Sequence, residues 1–303
     1  MANDSGHLRA LNQVNFRRGK ESQLFRKAAR AFDENRDTRF YVSTPTQLDI
    51  VKLVIGLASD ADPGFVMITG RPGCGKTMLR TVLHNALRDQ GFVCVSFENG
   101  LLEFDDMLLE IVSQLQGQRV LPADLPDRYS RIVAFKDVLL ERVVKSSSHL
   151  VLLIDESQQM SGQTLEGIRN LTNISAERKN YISPVLFGQP DDSGQQAPDP
   201  LIRSRIAASL EISPLTRSVT ETYLRFRLNA AGVAGFFPFE GPAIDAMHVA
   251  SKGVPRILNR LCKLALNRCC DTEIETVSPD LIREISEILT ETTSWPDSCL
   301  LTG

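Results

Sequence analysis

Short apolar runs alternate along the first two thirds of the chain with segments whose apolar residues recur at helical spacing. "FVMIT" (65 to 69), "FVCVSFEN" (92 to 99), "HLVLLI" (149 to 154), "SPVLFG" (183 to 188) and "ASLEIS" (208 to 213) are each too short for an ordinary helix and read as strands. For the first, periodicity alone leaves a buried helical turn open. Between them, "TPTQLDIVKLVIGLAS", "MLRTVLHNALRDQ", "LLEFDDMLLEIVSQLQG" and "RIVAFKDVLLERVVKSS" carry helical apolar faces. A further helix is expected from Gln163 to Arg178, and a short one over "LIRSRIA" (201 to 207). Strands alternating with helices predict a parallel sheet covered on both faces. After Pro214 the strand signals stop. "TRSVTETYLRFRLNAAG", "EGPAIDAMHVASKG", "VPRILNRLCKLALNRCC" and "SPDLIREISEILTE" predict a small all-helical domain. The expected division is an arm over 1 to 42, an α/β core over 43 to 214, a helical domain over 215 to 291 and a tail over 292 to 303.

The first strand runs into "GRPGCGKT", which has the spacing G-x-x-x-x-G-K-T. Gly70, Gly73 and Gly75 allow backbone angles closed to other residues, so the loop can turn its N–H groups around an anion. Lys76 adds a point charge and Thr77 a hydroxyl able to ligate Mg²⁺, at the N-terminus of the following helix. The alternative is a glycine-rich strand-to-helix turn that binds nothing.

Four further positions could complete a phosphate-transfer site. Asp155 and Glu156 end the third strand, expected beside the strand that leads into the loop, where an open α/β sheet binds ligands. Neighbours on a strand face opposite ways, but where the backbone turns both carboxylates can face the crevice. Asp155 suits Mg²⁺ coordination and Glu156 can polarise a water; the pair could instead cap the next helix. Gln189, after the fourth strand, could orient that water or could simply be a turn residue. Arg203 and Arg205, two apart on the short helix, point in nearly opposite directions, so at most one reaches a given phosphate. Arg256, in "GVPR", could approach a nucleotide from the helical domain or make an ordinary salt bridge.

Composition changes this picture little. With 34 basic and 37 acidic residues among 303, no overall field recruits nucleic acid or membrane. The basic residues Arg17, Arg18, Lys20, Arg26, Lys27 and Arg30 gather in "FRRGKESQLFRKAARAF", read as a solvated helical arm or as one that touches a partner or duplex DNA. The N-terminus lacks a secretory apolar region, and no uncharged apolar run approaches the roughly 20 residues a span needs. The expected location is cytoplasmic. Cys74, Cys94, Cys262, Cys269, Cys270 and Cys299 show no metal-binding spacing and read as reduced packing residues.

Taken in order, the loop, "LLIDES", the polar residue after the fourth strand, "RSRI" and "GVPR" resemble the AAA+ ATPases. Over roughly residues 36 to 285 the chain is similar to the ATPase domains of the general secretion pathway A (ExeA-like) and MSHA pilus-biogenesis families. The resemblance implies an AAA+ sheet with a helical lid, Mg²⁺ and ATP as cofactors, and adenine as the base. It implies nucleotide contacts at Gly70, Arg71, Pro72, Gly73, Cys74, Gly75, Lys76, Thr77, Met78 and Asp155. Mg²⁺ would sit on Thr77 and Asp155, and Glu156 would be the catalytic base. Gln189 would match sensor 1, Arg205 the arginine finger with Arg203 second, and Arg256 sensor 2. A homo-oligomeric ring or filament with ATP between subunits is implied, together with a protein partner in a secretion or pilus machine. The segment "GVPRILNRLCKLAL" also resembles transposition ATPases of the Mu B and TniB/IstB type, which polymerise on duplex DNA. Compared with the secretion family, the arm is longer and more basic, with neither a membrane span nor a peptidoglycan-binding region, which points away from a direct role at the cell wall.

Overall fold

The computed structural model describes residues 22–60, 64–176, 179–190, 203–272 and 274–293. They divide into two compact units, one over 43–213 and the other joining the N-terminal residues up to 42 to those from 214 onward.

In the first unit, Pro45 opens helix α2 (Pro45–Ser59; α1 belongs to the second unit), with Thr44 and Gln47 forming a reciprocal capping box at 3.3 and 3.1 Å. Strand β1 (Phe65–Gly70) leads into helix α3 (Lys76–Asp89), which buries Leu79, Leu83 and Leu87 at four-residue spacing. Strand β2 (Val93–Phe97) and helix α4 (Phe104–Gln116) follow, the helix ending at Gly117 in the left-handed region. Helix α5 (Arg128–Leu139) runs through a π-helical turn (Leu140–Val144) into strand β3 (Leu150–Ile154), every residue of which is buried. Helix α6 (Gly162–Thr172), strand β4 (Ile182–Gly188) and strand β5 (Ile206–Ile212) complete the unit.

All five strands are parallel, in the order β2-β3-β4-β1-β5. Continuous apolar runs in β3 and β4 match their central position, whereas β5 alternates exposed and half-buried residues as an edge strand should. Helix α6 approaches α4 so closely that a Cβ at Gly167 would meet the Phe104 ring at 2.3 Å.

Three expectations are corrected here. β3 does not lie beside β1; β4 sits between them, pairing Thr69 with Gly188 on one side and Ile154 with Leu186 on the other. The helix expected to reach Arg178 stops at Thr172, whose hydroxyl turns back to the Arg169 carbonyl at 2.8 Å, and the two-residue strands Ser175–Ala176 and Lys179–Asn180 pair antiparallel. The short helix expected through Ala207 gives way to β5 from Ile206, because the free edge of β1 captures the segment: Phe65 N–H donates to the Arg205 carbonyl at 2.8 Å. Residues 201 and 202 of that segment and the polar loop 191 to 200 lie outside the described residues.

The second unit is helical. Its core unites helix α1 (22–30) with α7 (Arg217–Ala230), α8 (Gly241–Ser251), α9 (Pro255–Thr272) and α10 (Pro279–Thr293). The solvated arm is therefore a correction for residues 22 to 42: Phe25, Ala28, Ala29, Ala31 and Phe32 are buried among Leu224, Leu228, Ile244 and Leu258. Arg227 of α7, itself buried, pins the chain after α1 by donating to the carbonyls of Ala31 (2.6 Å) and Asp33 (3.2 Å). Its guanidinium lies 5.1 Å from the Phe40 ring. Two basic residues of α1 are also occupied locally, Lys27 on the Gly232 carbonyl at 2.9 Å and Arg26 on Cys270 Sγ at 3.4 Å. Arg17, Arg18 and Lys20 lie outside the described residues, as do positions 294 to 303 of the expected tail. A tight turn joins α8 to α9 at Gly253, where φ is +72° and a Cβ would strike the Leu215 carbonyl oxygen at 2.1 Å.

Phe32 is 1% exposed. Phe32→Ala should cost about 3–5 kcal/mol, seen as a lowered urea midpoint for the helical unit.

Candidate functional site

The loop after β1 owes its shape to two glycines and a close approach. A Cβ on Gly70 would meet the Ile212 carbonyl oxygen at 2.9 Å, so only glycine lets β1 end tight against β5. Gly73 and Gly75 take φ of +83° and +97°. Gly75 caps α3 without a side-chain hydrogen bond, and the N-terminus of a helix after such a loop is a natural seat for an anion. The Lys76 ammonium is buried under the loop, donating to the carbonyls of Gly70 (2.7 Å) and Arg71 (3.4 Å). Arg71 and Pro72 are exposed, Thr77 and Met78 half-buried. Cys74 is buried, and that burial pushes its thiol above the usual range.

Two strands away, β3 delivers the acids. Asp155 is buried; its Oδ1 accepts the Glu156 N–H at 3.0 Å and its Oδ2 faces Arg80 Nε at 3.5 Å. Arg80, one turn past Lys76 on α3, also donates to the Ser96 hydroxyl of β2. The chain then turns sharply, for Glu156 has φ 50° and ψ 42°, a left-handed conformation that costs a non-glycine residue about 1–2 kcal/mol. This turn separates the two acids, leaving Asp155 buried on Arg80 and Glu156 half-buried at the strand end. Gln158 Nε2 donates to Glu156 Oε2 at 2.5 Å, and Gln158 Oε1 accepts the Gln189 N–H at 3.3 Å.

The sheet thus gathers the loop (end of β1), Gln189 (end of β4) and Asp155 with Glu156 (end of β3) along one edge. It does not bring Arg203 or Arg205 there. Both precede β5, which runs parallel to β1, so they lie at the opposite end of the sheet; Arg205 Nη1 donates to Asn173 Oδ1 at 3.0 Å. Arg256 belongs to the helical unit, where its Nε is 3.8 Å from Glu34 Oε2 in a pair with both side chains exposed. Sequence reasoning missed Arg80 and Gln158. Arg80 carried a readable signal, since its i+4 spacing from Lys76 puts both on one helix face.

A divalent metal fits this donor set. Thr77 and Asp155 offer a hydroxyl and a carboxylate, hard oxygens of the kind Mg²⁺ takes while it keeps waters and phosphate oxygens as its remaining ligands. Among the described residues no group of three or more His, Cys, Asp or Glu forms a metal cage.

A parallel sheet with a Gly-rich loop closing β1 and acids closing β3 has the layout of a P-loop nucleotide-binding core. Residues 59–193 match the AAA_22 family, an AAA domain. The chain is 32% identical over 206 residues to General secretion pathway protein A of Aeromonas hydrophila, across 67% of this chain and 36% of that protein. It therefore spans about a third of that relative's length. Among solved structures it resembles the ORC2 protein of Aeropyrum pernix in its ADPNP-ADP complexes (18% identity, 89% of this chain and 73% of that chain, TM-score 0.60). It also resembles RuvB of Thermotoga maritima, a Holliday junction branch migration motor (18% identity, 80% and 69%, TM-score 0.52). These two likenesses establish the shared AAA+ fold.

Arg80 and Asp155 side chains are 7% and 3% exposed. Arg80→Ala should strand the carboxylate and destabilise the first unit by about 3–5 kcal/mol, read from chemical denaturation.

Proposed function

We propose that this chain binds and hydrolyses Mg-ATP between copies of itself and uses the change of nucleotide state to drive or switch assembly of a secretion- or pilus-type machine. The observation that carries the reading is the alignment of the phosphate loop with Gln189, Asp155 and Glu156 at one edge of the sheet. The likeness to General secretion pathway protein A supports the biological setting, and the ADPNP-ADP complexes of ORC2 support adenine.

In this mechanism the backbone N–H groups of Gly73 to Thr77 and the Lys76 ammonium hold the phosphates. Thr77 and Asp155 would hold the metal, which would supply charge neutralisation for the transferred phosphoryl group. Glu156 accepts a proton from the attacking water, and the Gln189 amide orients that water. Arg205, or Arg203, serves a neighbouring copy: the seven residues of β5 stand between them and the loop edge, about 23 Å of strand, so only a second molecule can bring either to a phosphate. That geometry supports a homo-oligomer, ring or filament. Arg256 would sense the nucleotide from the helical unit. No helix of the described residues is long and apolar enough to cross a membrane.

A second reading, a DNA-bound ATPase regulating transposition, is favoured by the basic residues Arg17, Arg18 and Lys20 and by the fold shared with RuvB, a Holliday junction branch migration motor. Duplex-DNA binding with ATP, followed against salt, separates the two. Several phosphate contacts give a steep loss of affinity with added salt, whereas an ATP-loaded protein without affinity at low salt removes the DNA reading.

Lys76→Ala should weaken binding of a fluorescent ATP analogue at least about tenfold, the loss of roughly 1.4 kcal/mol. Glu156→Gln should keep that binding while turnover falls about 10²–10⁴-fold; turnover retained in this variant would remove Glu156 as the base. Arg205→Ala should be inactive alone and regain turnover when mixed with Glu156→Gln, whose arginine is intact. Absence of rescue would rule out an arginine supplied by a neighbour.

A further inference from the structure

The left-handed turn at Glu156 is held by a residue that lies outside the phosphate loop and the acid pair. Gln158 sits on the single 3-10 turn Ser157–Gln159, fixed by bonds from Gln159 N–H to the Glu156 carbonyl at 2.9 Å and from Met160 N–H to the Ser157 carbonyl at 3.1 Å. Its amide is used at both ends: Nε2 donates to the Glu156 carboxylate at 2.5 Å and Oε1 accepts the backbone N–H of Gln189 at 3.3 Å. One side chain therefore joins the end of β3 to the end of β4. The two ends are brought together by Gly188, where a Cβ would meet Ser157 Oγ at 2.9 Å and Gln158 Oε1 at 3.3 Å. A larger residue there would push the amide oxygen away from its donor, the Gln189 N–H.

We infer that Gln158 is a positioning residue for hydrolysis, fixing the Glu156 carboxylate in its left-handed turn and coupling it to the Gln189 backbone, so that a shift at the end of β4 moves the base. This rests on the reading of Glu156 as the base and Gln189 as the residue that orients the attacking water. The chemistry fits. A charge-assisted bond to a carboxylate is short and strong, and it leaves the other carboxylate oxygen to take a water proton. A link through the backbone N–H of Gln189 leaves that residue's own amide to the nucleotide. The amide holds one end as donor and the other as acceptor, which a carboxylate or an aliphatic side chain of the same length cannot do.

The test uses the 303-residue chain and four variants. Gln158→Met keeps the length and loses both hydrogen bonds; Gln158→Asn keeps the amide one methylene too short to span both partners. Each should lower kcat for Mg-ATP about 10- to 100-fold, the effect of misplacing a reacting group by an ångström, with KM, affinity for a fluorescent ATP analogue and melting temperature held. In single-turnover measurements, Glu156→Gln/Gln158→Met should be no slower than Glu156→Gln alone, because Gln158 acts through Glu156. Wild-type turnover in both Gln158 variants overturns the inference, as does a loss shared by kcat and nucleotide affinity, or an added loss in the double variant. In those cases a wild-type chain that hydrolyses ATP leaves the parent reading standing. A wild-type chain with no turnover defeats that reading first.

Discussion

The arrangement of the site depends on strand β4 lying between β1 and β3. Parallel pairing with Thr69 opposite Gly188 and Ile154 opposite Leu186 brings three strand ends level along one edge of the sheet. Each end carries a different chemical part: amides and an ammonium after β1, a polar residue after β4, two carboxylates after β3. None could assemble locally, since the residues involved are spread from Gly70 to Gln189. The register is secured by burial, because every residue of β3 and β4 is buried. Gly188 then permits the close approach that lets Gln158 bridge two of the ends.

Charge at this edge is arranged in pairs. Lys76 rests on loop carbonyls, Asp155 on Arg80 and Glu156 on Gln158, so each ionised group has a polar partner. Burial without such partners would cost several kcal/mol per charge. The two acids, adjacent in sequence, are thereby given different surroundings. Asp155 is enclosed beside a cation and suited to holding a metal-bound shell, whereas Glu156 lies at the turn and is suited to proton transfer.

Much of this was legible in the chain. Continuous apolar runs gave the buried strands, and the glycine spacing with Lys76 and Thr77 gave the loop, because both signals are local. The parts that were not legible depend on contacts distant in sequence. Neither the insertion of β4 beside β1 nor the capture of Ile206 by the edge of β1 leaves a mark on local periodicity. The burial of Phe25 and Phe32 was hidden by the arginines and lysines around them, whose long side chains reach the surface while the aromatic rings enter the helical core. Gln158 reads as an ordinary polar residue until the turn at Glu156 aims it. Arg80, by contrast, was within reach, one helical turn from Lys76.

The central claim is that residues 70 to 77 hold a polyphosphate opposite Asp155 and Glu156. Calorimetric titration of Mg-ATP into the folded chain tests it most directly. The account predicts saturable heat with one nucleotide per chain. A flat titration from protein that still melts cooperatively would contradict it.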